Sequence, residues 1–208
     1  MTDRVYTIGH STQPVERFIG LLQQHGITAI ADVRSKPYSR MNPQFNREDL
    51  KAVLRNQGIA YSFLGKELGA RSEDPTCYID GKVQYGRLAE TALFQHGIDR
   101  VREGAQKYRV ALMCAEKEPL ECHRTILVAR HLVAQGNDVT HILGNGRLEE
   151  HEKSMSRLVH QLSLPEDDMF ANPSEIIDEA YRLQESRIAY DKNEASAAVA
   201  ETVKEAAG

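Results

Sequence analysis

The sequence contains no tryptophan, and only 6% of its 208 residues are aromatic. We therefore do not expect a large aromatic surface for stacking single-stranded nucleic acid. No apolar run approaches the ~20 residues of a membrane-spanning helix. The first residues, Met1 to Arg4, lead directly into a strand-like segment without the apolar core of a signal peptide. These absences predict a cytoplasmic protein with no membrane partner.

Cysteine and excess positive charge are also scarce. The three cysteines, Cys77, Cys114 and Cys122, form no C-x-x-C pair and cannot build a disulfide framework. In a reducing compartment we expect them to be free thiols. The formal net charge of -4 excludes a strongly basic protein, and 41% hydrophobic with 27% charged residues is typical of a globular chain.

Strand-like and helix-like segments alternate along the chain up to residue 146. Apolar runs predict five buried strands, which begin near Val5, Thr28, Ala60, Arg109 and Val139. Amphipathic helical patterns lie between most of them, and residues 65–86 form a long glycine-containing excursion. The alternation predicts an α/β protein with an open, mainly parallel five-stranded sheet and helices on both faces.

The segment after residue 146 has a different composition. It is acidic and helical in pattern, and it becomes rich in alanine towards its end. We predict an α/β domain over residues 1–146, a helical extension packing on it over residues 147–190, and a flexible or frayed tail over residues 191–208.

Reactive residue types follow the predicted strands. Ligands of open α/β sheets bind beyond the carboxyl ends of the strands. The residues found there include His10, Ser11, Asp32, Arg34, Cys114 and Glu116. We therefore expect the functional site at this edge of the sheet.

The densest group of such residues lies between Cys114 and Arg124. Cys114 ends a predicted strand, and Cys122 and His123 open a predicted helix. Backbone N–H groups at a helix N-terminus bind anions and lower the pKa of a thiol there. An arginine on the same turn, Arg124, is suited to bidentate contact with a phosphate or carboxylate. This pattern predicts an anion-binding loop that carries a nucleophile.

The sequence assigns roles to eleven residues. The predicted catalytic residues are Cys114, Cys122, His123, His10 and Glu116. Predicted anion-binding residues are Arg34, Arg124, Ser11, Lys82 and Tyr85, of which the last two would come from a lid formed by the long excursion. Asp32 is predicted to orient the other groups. Either cysteine is a candidate nucleophile, and His10 and His123 are the candidate general acids or bases.

A metal site is the alternative for the same residues. His10, Cys114, Cys122 and His123 are zinc-compatible ligand types, but their spacing matches no structural zinc pattern. We therefore predict no metal ligand. Neither a cofactor nor an oligomeric state follows from the sequence.

Charge is distributed unevenly along the chain. Residues 34–71 hold eight basic and three acidic residues, a net charge of +5, with aromatic residues interleaved. This face suits a nucleotide or a nucleic-acid backbone, so a non-catalytic nucleic-acid-binding module is an alternative function. Residues 149–205 hold fourteen acidic and six basic residues, a net charge of -8. A protein that binds a partner through this acidic arm is the other alternative.

Several separated motifs carry a family resemblance. They are Tyr6-Thr-Ile-Gly-His-Ser11, Asp32-Val-Arg34, Leu64-Gly65 with Leu68-Gly69, and Cys114-Ala-Glu116 with Cys122-His-Arg124. In this order they resemble the domain of unknown function 488 family from about Val5 to Gly146. The resemblance implies a Rossmann-like sheet and an uncharacterised activity. The site residues predict an enzyme that acts on an anionic ligand. We expect a cysteine-dependent hydrolase or transferase.

Overall fold

The computed structural model of the protein describes residues 4–165 and 172–195. Within these ranges the strands are Val5–Gly9 (β1), Ala29–Asp32 (β2), Ala60–Phe63 (β3), Tyr78–Ile79 (β4), Lys82–Val83 (β5), Val110–Cys114 (β6), Val139–Ile142 (β7) and Leu148–Glu150 (β8). The α-helices are Val15–Gln24 (α1), Arg47–Asn56 (α2), Gly65–Leu68 (α3), Tyr85–Glu90 (α4), Ala92–Ala105 (α5), Arg130–Ala134 (α6), His151–Gln161 (α7) and Pro173–Ile188 (α8). A π-helical segment, Arg124–Ala129, runs directly into α6.

Six strands form the main sheet in the order β3-β2-β6-β1-β7-β8. The first five strands in this order are parallel, which confirms the α/β class and the mainly parallel open sheet. The sixth, β8, is antiparallel to β7 and lies where the sequence predicts the beginning of a helix. Gly146 has a φ of 84° in the turn between them, which reverses the chain and lets residues 148–150 pair with β7.

Helices cover both faces of this sheet. Alternate residues of each strand point to opposite faces. On one face Tyr6, Ile30 and Met113 pack with buried residues of α1 and α2. On the other face Val5, Ala31 and Leu112 pack with buried residues of α5, the π-helical segment, α7 and α8.

The long excursion and the acidic arm meet on this second face. The excursion contains α3 and a two-stranded antiparallel sheet formed by β4 and β5. Val83 donates its backbone N–H to the carbonyl of Tyr190, and Tyr85 donates its N–H to the Glu185 carboxylate in α8. The part of the predicted flexible tail from residue 196 onward lies outside the described residues. No helix of residues 4–165 and 172–195 is long and apolar enough to cross a membrane.

Candidate functional site

A cavity of about 340 Å³ lies beyond the carboxyl ends of β2 and β6. These strands are neighbours in the sheet, so the loops that follow them face each other. The cavity is lined by Arg34, Ser35, Lys36, Tyr38, Ala70, Arg71, Tyr85, Cys114, Ala115, Glu116, Glu121, Cys122, His123, Ile188 and Tyr190. It therefore combines basic, carboxylate, thiol and imidazole groups at the edge where the sequence predicts the site.

The loop after β6 is held against the end of β1. His10 donates its backbone N–H to the carbonyl of Cys114 at 2.9 Å, and Ser11 donates to Ala115 at 2.8 Å. A Cβ atom on Gly9 would lie 1.8 Å from the carbonyl oxygen of Glu116, so only glycine permits this approach. The glycine thus fixes the position from which Cys114 and Glu116 face the cavity.

Two sulfur atoms and an imidazole nitrogen converge at the base of the cavity. We call Cys114, Cys122 and His123 the thiol cluster. Nδ1 of His123 lies 3.7 Å from Sγ of Cys114 and 3.9 Å from Sγ of Cys122, and the three atoms lie within 4.8 Å of one another. Nε2 of His123 is 3.0 Å from the carbonyl oxygen of Val33, which orients the ring.

The two cysteines of this cluster have opposite pKa shifts. Burial raises the pKa of the Cys114 thiol well above its usual value, and its hydrogen bond to Cys122 adds to this effect. Burial also acts to raise the pKa of Cys122, but the Cys114 thiol, the Arg124 charge and His123 together hold it well below the usual value. Cys122 is therefore the more acidic thiol of the pair.

Glu116 lies against the sulfur of Cys122. Its Oε2 atom is 3.0 Å from Sγ of Cys122, so one proton must lie between the two atoms. Burial and the neighbouring Cys122 sulfur raise the pKa of Glu116.

Arg124 lies beneath the loop rather than in the cavity. The side chain is fully buried, and its guanidinium donates to the carbonyl oxygens of Glu116 at 2.7 Å and Lys117 at 3.3 Å. Among the described residues its Nε atom has no acceptor, and no carboxylate forms an ion pair with it. The sequence predicts an anion-binding role for Arg124, whereas the structure directs its donors to the chain's own loop. Its backbone N–H points at Sγ of Cys122 over 3.4 Å.

Arg34 is held at the cavity wall by a buried network. Asp32 accepts hydrogen bonds from the guanidinium at 2.9 and 2.6 Å, and Tyr61 donates to the same carboxylate at 2.7 Å. His10 stacks on Phe45 with the ring centroids 4.3 Å apart, and its Nε2 accepts from Arg34 at 3.1 Å. Burial lowers the pKa of His10 to about 4, so the ring is neutral. His10 and Asp32 thus position Arg34 and do not line the cavity.

The remaining predicted residues fall in different places. Tyr85 lines the cavity, and burial raises the pKa of its hydroxyl. Ser11 lies in a separate cavity of about 240 Å³ beside Arg17 and Lys117. Lys82 donates to the carbonyl of Ser186 in α8 and is absent from the described lining.

The cavity also contains residues outside the eleven with predicted roles. Lys36, Tyr38 and Arg71 belong to the basic segment 34–71, where net charge was the available signal. Ile188 and Tyr190 come from the acidic arm, and nothing in their local sequence marks them as cavity residues. The guanidinium of Arg71 lies 4.5 Å from the ring centroid of Tyr190, which links the basic segment to the arm.

The fold and site define an α/β protein with a buried cysteine–histidine cluster at the carboxyl edge of a parallel sheet. Residues 14–131, more than half of the chain, match the profile of the family described as "Domain of unknown function DUF488". The chain belongs to this family, as the resemblance of its motifs implies. No significant match was found to a curated protein or to a solved structure.

Proposed function

We propose that the protein is a cysteine-dependent hydrolase or transferase that binds a phosphate-bearing ligand in the 340 Å³ cavity. The observation that carries the proposal is that one cavity presents a buried sulfur nucleophile and three basic side chains. Arg34, Lys36 and Arg71 all line it. Cys122 is favoured over Cys114 as nucleophile, because the Arg124 backbone N–H donates to its sulfur.

The basic groups divide into a fixed one and two accessible ones. The Asp32 carboxylate forms an ion pair with Arg34. The pair holds the guanidinium in place, but it leaves Arg34 with little net attraction for an anionic ligand. Lys36 and Arg71 are exposed at the cavity mouth. They therefore supply most of the attraction for an anion. The Glu121 carboxylate also lines the cavity and repels part of the ligand's negative charge.

The proposed reaction with a phosphomonoester has two steps. The Cys122 sulfur attacks phosphorus, an S–P bond forms, the P–O bond breaks, and the leaving oxygen takes the proton held between Glu116 and Cys122. Water, or an acceptor hydroxyl, then attacks phosphorus and gives a proton to Glu116. The S–P bond breaks, and Cys122 leaves as the thiolate.

Hydrolysis of p-nitrophenyl phosphate by the full chain tests this proposal. We expect Cys122→Ser to lower the rate by about 10⁴-fold, and Arg71→Ala to weaken competition by inorganic phosphate. Cys77→Ser is the matched control, because Cys77 is buried away from the cavity. Equal rates in Cys122→Ser and Cys77→Ser, or no turnover and no phosphate binding by the unmodified protein, would refute the proposal.

A nucleic-acid-binding function of the 34–71 face is the second candidate. Tyr38 is 70% exposed and lies at the cavity mouth beside Lys36, an arrangement suited to stacking a base next to a bound phosphate. This candidate predicts oligonucleotide binding that falls steeply with salt and is unaffected by Cys122→Ser. Titration of single- and double-stranded oligonucleotides at several salt concentrations measures both properties.

We further infer a cytoplasmic location, because Cys77, Cys114 and Cys122 are all free and thiols are kept reduced in that compartment. We also infer that the extension 147–190 serves the α/β domain in cis, since Ile188 and Tyr190 line the cavity. A partner-binding role of the acidic arm would instead predict that deletion of residues 149–208 abolishes partner capture, although this deletion also removes the cavity residues Ile188 and Tyr190.

A further inference from the structure

We propose that the thiol cluster is a Zn²⁺ site and that an ion bound there blocks the Cys122 nucleophile. The ligands would be Sγ of Cys114, Sγ of Cys122 and Nδ1 of His123. The inhibitory consequence rests on the proposed function, whereas the binding of the ion does not.

The spacing of the three atoms supports this assignment. Zinc binds sulfur at about 2.3 Å and nitrogen at about 2.0 Å, so ligand atoms around a tetrahedral ion lie roughly 3.5–3.8 Å apart. The nitrogen-to-sulfur distances are 3.7 and 3.9 Å. The two sulfurs lie within 4.8 Å of each other, so an ion between the three atoms requires them to approach by up to about 1 Å.

The surroundings of the ligands are those of a metal site. A metal-binding histidine usually donates its second ring N–H to a carbonyl or carboxylate, which fixes the ring. Nε2 of His123 meets the Val33 carbonyl at 3.0 Å, so Nδ1 is left facing the sulfurs. The Arg124 N–H that points at Cys122 would in turn stabilise a metal-bound thiolate.

The ligand types and the access favour a borderline-soft ion with an open position. Two thiolates and an imidazole suit Zn²⁺ and disfavour Mg²⁺ or Ca²⁺, which prefer oxygen ligands. All three residues line the cavity, which provides a route for the ion and a fourth position occupied by water or by Glu116. The spacing of the ligands in the sequence does not match a known zinc motif, because two of them are adjacent and the third lies on a strand.

The site would regulate the proposed reaction by competition for one sulfur. A Cys122 sulfur bound to Zn²⁺ has given its lone pair to the ion and is a poor nucleophile towards phosphorus. Removal of the ion by a chelator would restore the free thiolate. Zinc would therefore inhibit hydrolysis reversibly, with Cys114 and His123 as the other two ligands of the ion.

Cobalt titration of the chelator-treated full chain tests the binding. We expect intense visible bands of a tetrahedral ion, a near-ultraviolet sulfur-to-cobalt band, and displacement of both by Zn²⁺. Cys114→Ser and Cys122→Ser should each weaken binding by more than about 100-fold, since even changes to groups behind the ligands cost 10–100-fold. Cys77→Ser should leave the spectrum unchanged. A spectrum without the sulfur band, or one lost in Cys77→Ser, would overturn the proposal.

Two further measurements keep the test informative if a variant misfolds. In the unmodified protein, Zn²⁺ should slow alkylation of Cys122, which lines the cavity, and a rate that Zn²⁺ leaves unchanged would refute the site. Hydrolysis of p-nitrophenyl phosphate should fall on zinc addition and return with chelator. Zinc-stimulated hydrolysis would refute inhibition, whereas cobalt binding without any hydrolysis would refute the proposed function and leave the metal site standing.

Discussion

Two buried histidine clusters in this protein use the same residue type in opposite ways. In the thiol cluster, Nδ1 of His123 faces two sulfurs at 3.7 and 3.9 Å beside a cavity. The second cluster, which we call the histidine chain, links Thr7, His141, His151 and Tyr181 by contacts of 2.7, 3.0 and 2.6 Å. Every ring nitrogen of the chain has a close polar partner. The sulfur partners and the adjoining cavity, rather than the histidine itself, therefore mark the candidate site.

The charge state of the rings follows the same division. Burial holds the pKa of His151 at about 4 and that of His141 well below its usual value, so both rings are neutral. Burial also acts to lower the pKa of His123, but its contacts with Cys122 and the Glu116 charge raise it. The histidine chain connects β1, β7, α7 and α8 through neutral groups. The thiol cluster instead keeps ionisable groups at the cavity.

The largest expected effect concerns the arginine beneath the thiol cluster. Arg124→Ala removes the fully buried side chain and leaves the Glu116 and Lys117 carbonyls without their donors, so we expect a loss of about 4 kcal/mol in the free energy of unfolding. Urea denaturation measures it. Arg182→Ala, which removes an exposed i,i+3 ion pair, should stay within about 0.5 kcal/mol. Similar midpoints for the two variants would contradict the structural role of Arg124.

Acidification should act on the neutral histidines. The folded-state pKa values of His10 and His151 are lowered to about 4, so the unfolded chain binds protons first as the pH falls below 6.5. Each residue should cost about 3 kcal/mol of stability between pH 6.5 and 4, and this stability is fully present above pH 6.5. Urea denaturation at several pH values measures the slope.

The variant His151→Phe isolates one member of the chain. Because it removes one titrating group, we expect the slope of unfolding free energy against pH in this window to decrease by roughly 1.4 kcal/mol per pH unit. An unchanged slope would show that His151 has the same pKa in the folded and the unfolded chain, and the contrast between the two clusters would fail.

A smaller effect is expected at the end of the histidine chain. Tyr181→Phe removes the hydroxyl that lies 2.6 Å from Nε2 of His151 and leaves a buried nitrogen unpaired, at a cost of about 1–3 kcal/mol. The matched variant Tyr38→Phe alters a tyrosine that is 70% exposed and should change the unfolding free energy by less than about 0.5 kcal/mol. Thermal or urea denaturation compares the pair.

The smallest expected effect on stability accompanies a change in binding. Tyr38→Ala should leave the unfolding free energy within about 0.5 kcal/mol and weaken AMP binding by roughly 1 kcal/mol, with no effect on inorganic phosphate. Calorimetric titration with both probes measures the difference. Equal weakening for AMP and phosphate would indicate that the tyrosine shapes the cavity without stacking on a base.

The fold was largely predictable because local patterns determine its elements. Runs such as Val110–Cys114 are apolar throughout, as strands buried on both faces must be. The exception, β8, depends on the turn that precedes it. Leu148–Glu150 has a helical pattern in sequence, but the reversal at Gly146 places it against β7, where backbone pairing decides its conformation.

The candidate site was less predictable, because its members are selected by packing between distant segments. Arg34 and Arg124 look equally suited to an anion in sequence, yet one borders the cavity and the other is buried beneath a loop. The two arginines differ in the direction in which their side chains leave the backbone, and this direction is set by the packing of the surrounding elements. Tyr190 reaches the cavity only because α8 packs across the second face, which is a tertiary effect without a local signal.

The central position of β1 has a consequence for how the chain is made. Its partners on either side, β6 and β7, follow it by more than ~100 residues, as the pairs of Tyr6 with Ala111 and Val5 with Val139 show. During synthesis this apolar strand leaves the ribosome before either of its partners and stays unpaired until β6 has emerged. Such non-local pairing slows folding and exposes unpaired edges. We therefore expect refolding at high protein concentration to be limited by association through Val5–Gly9.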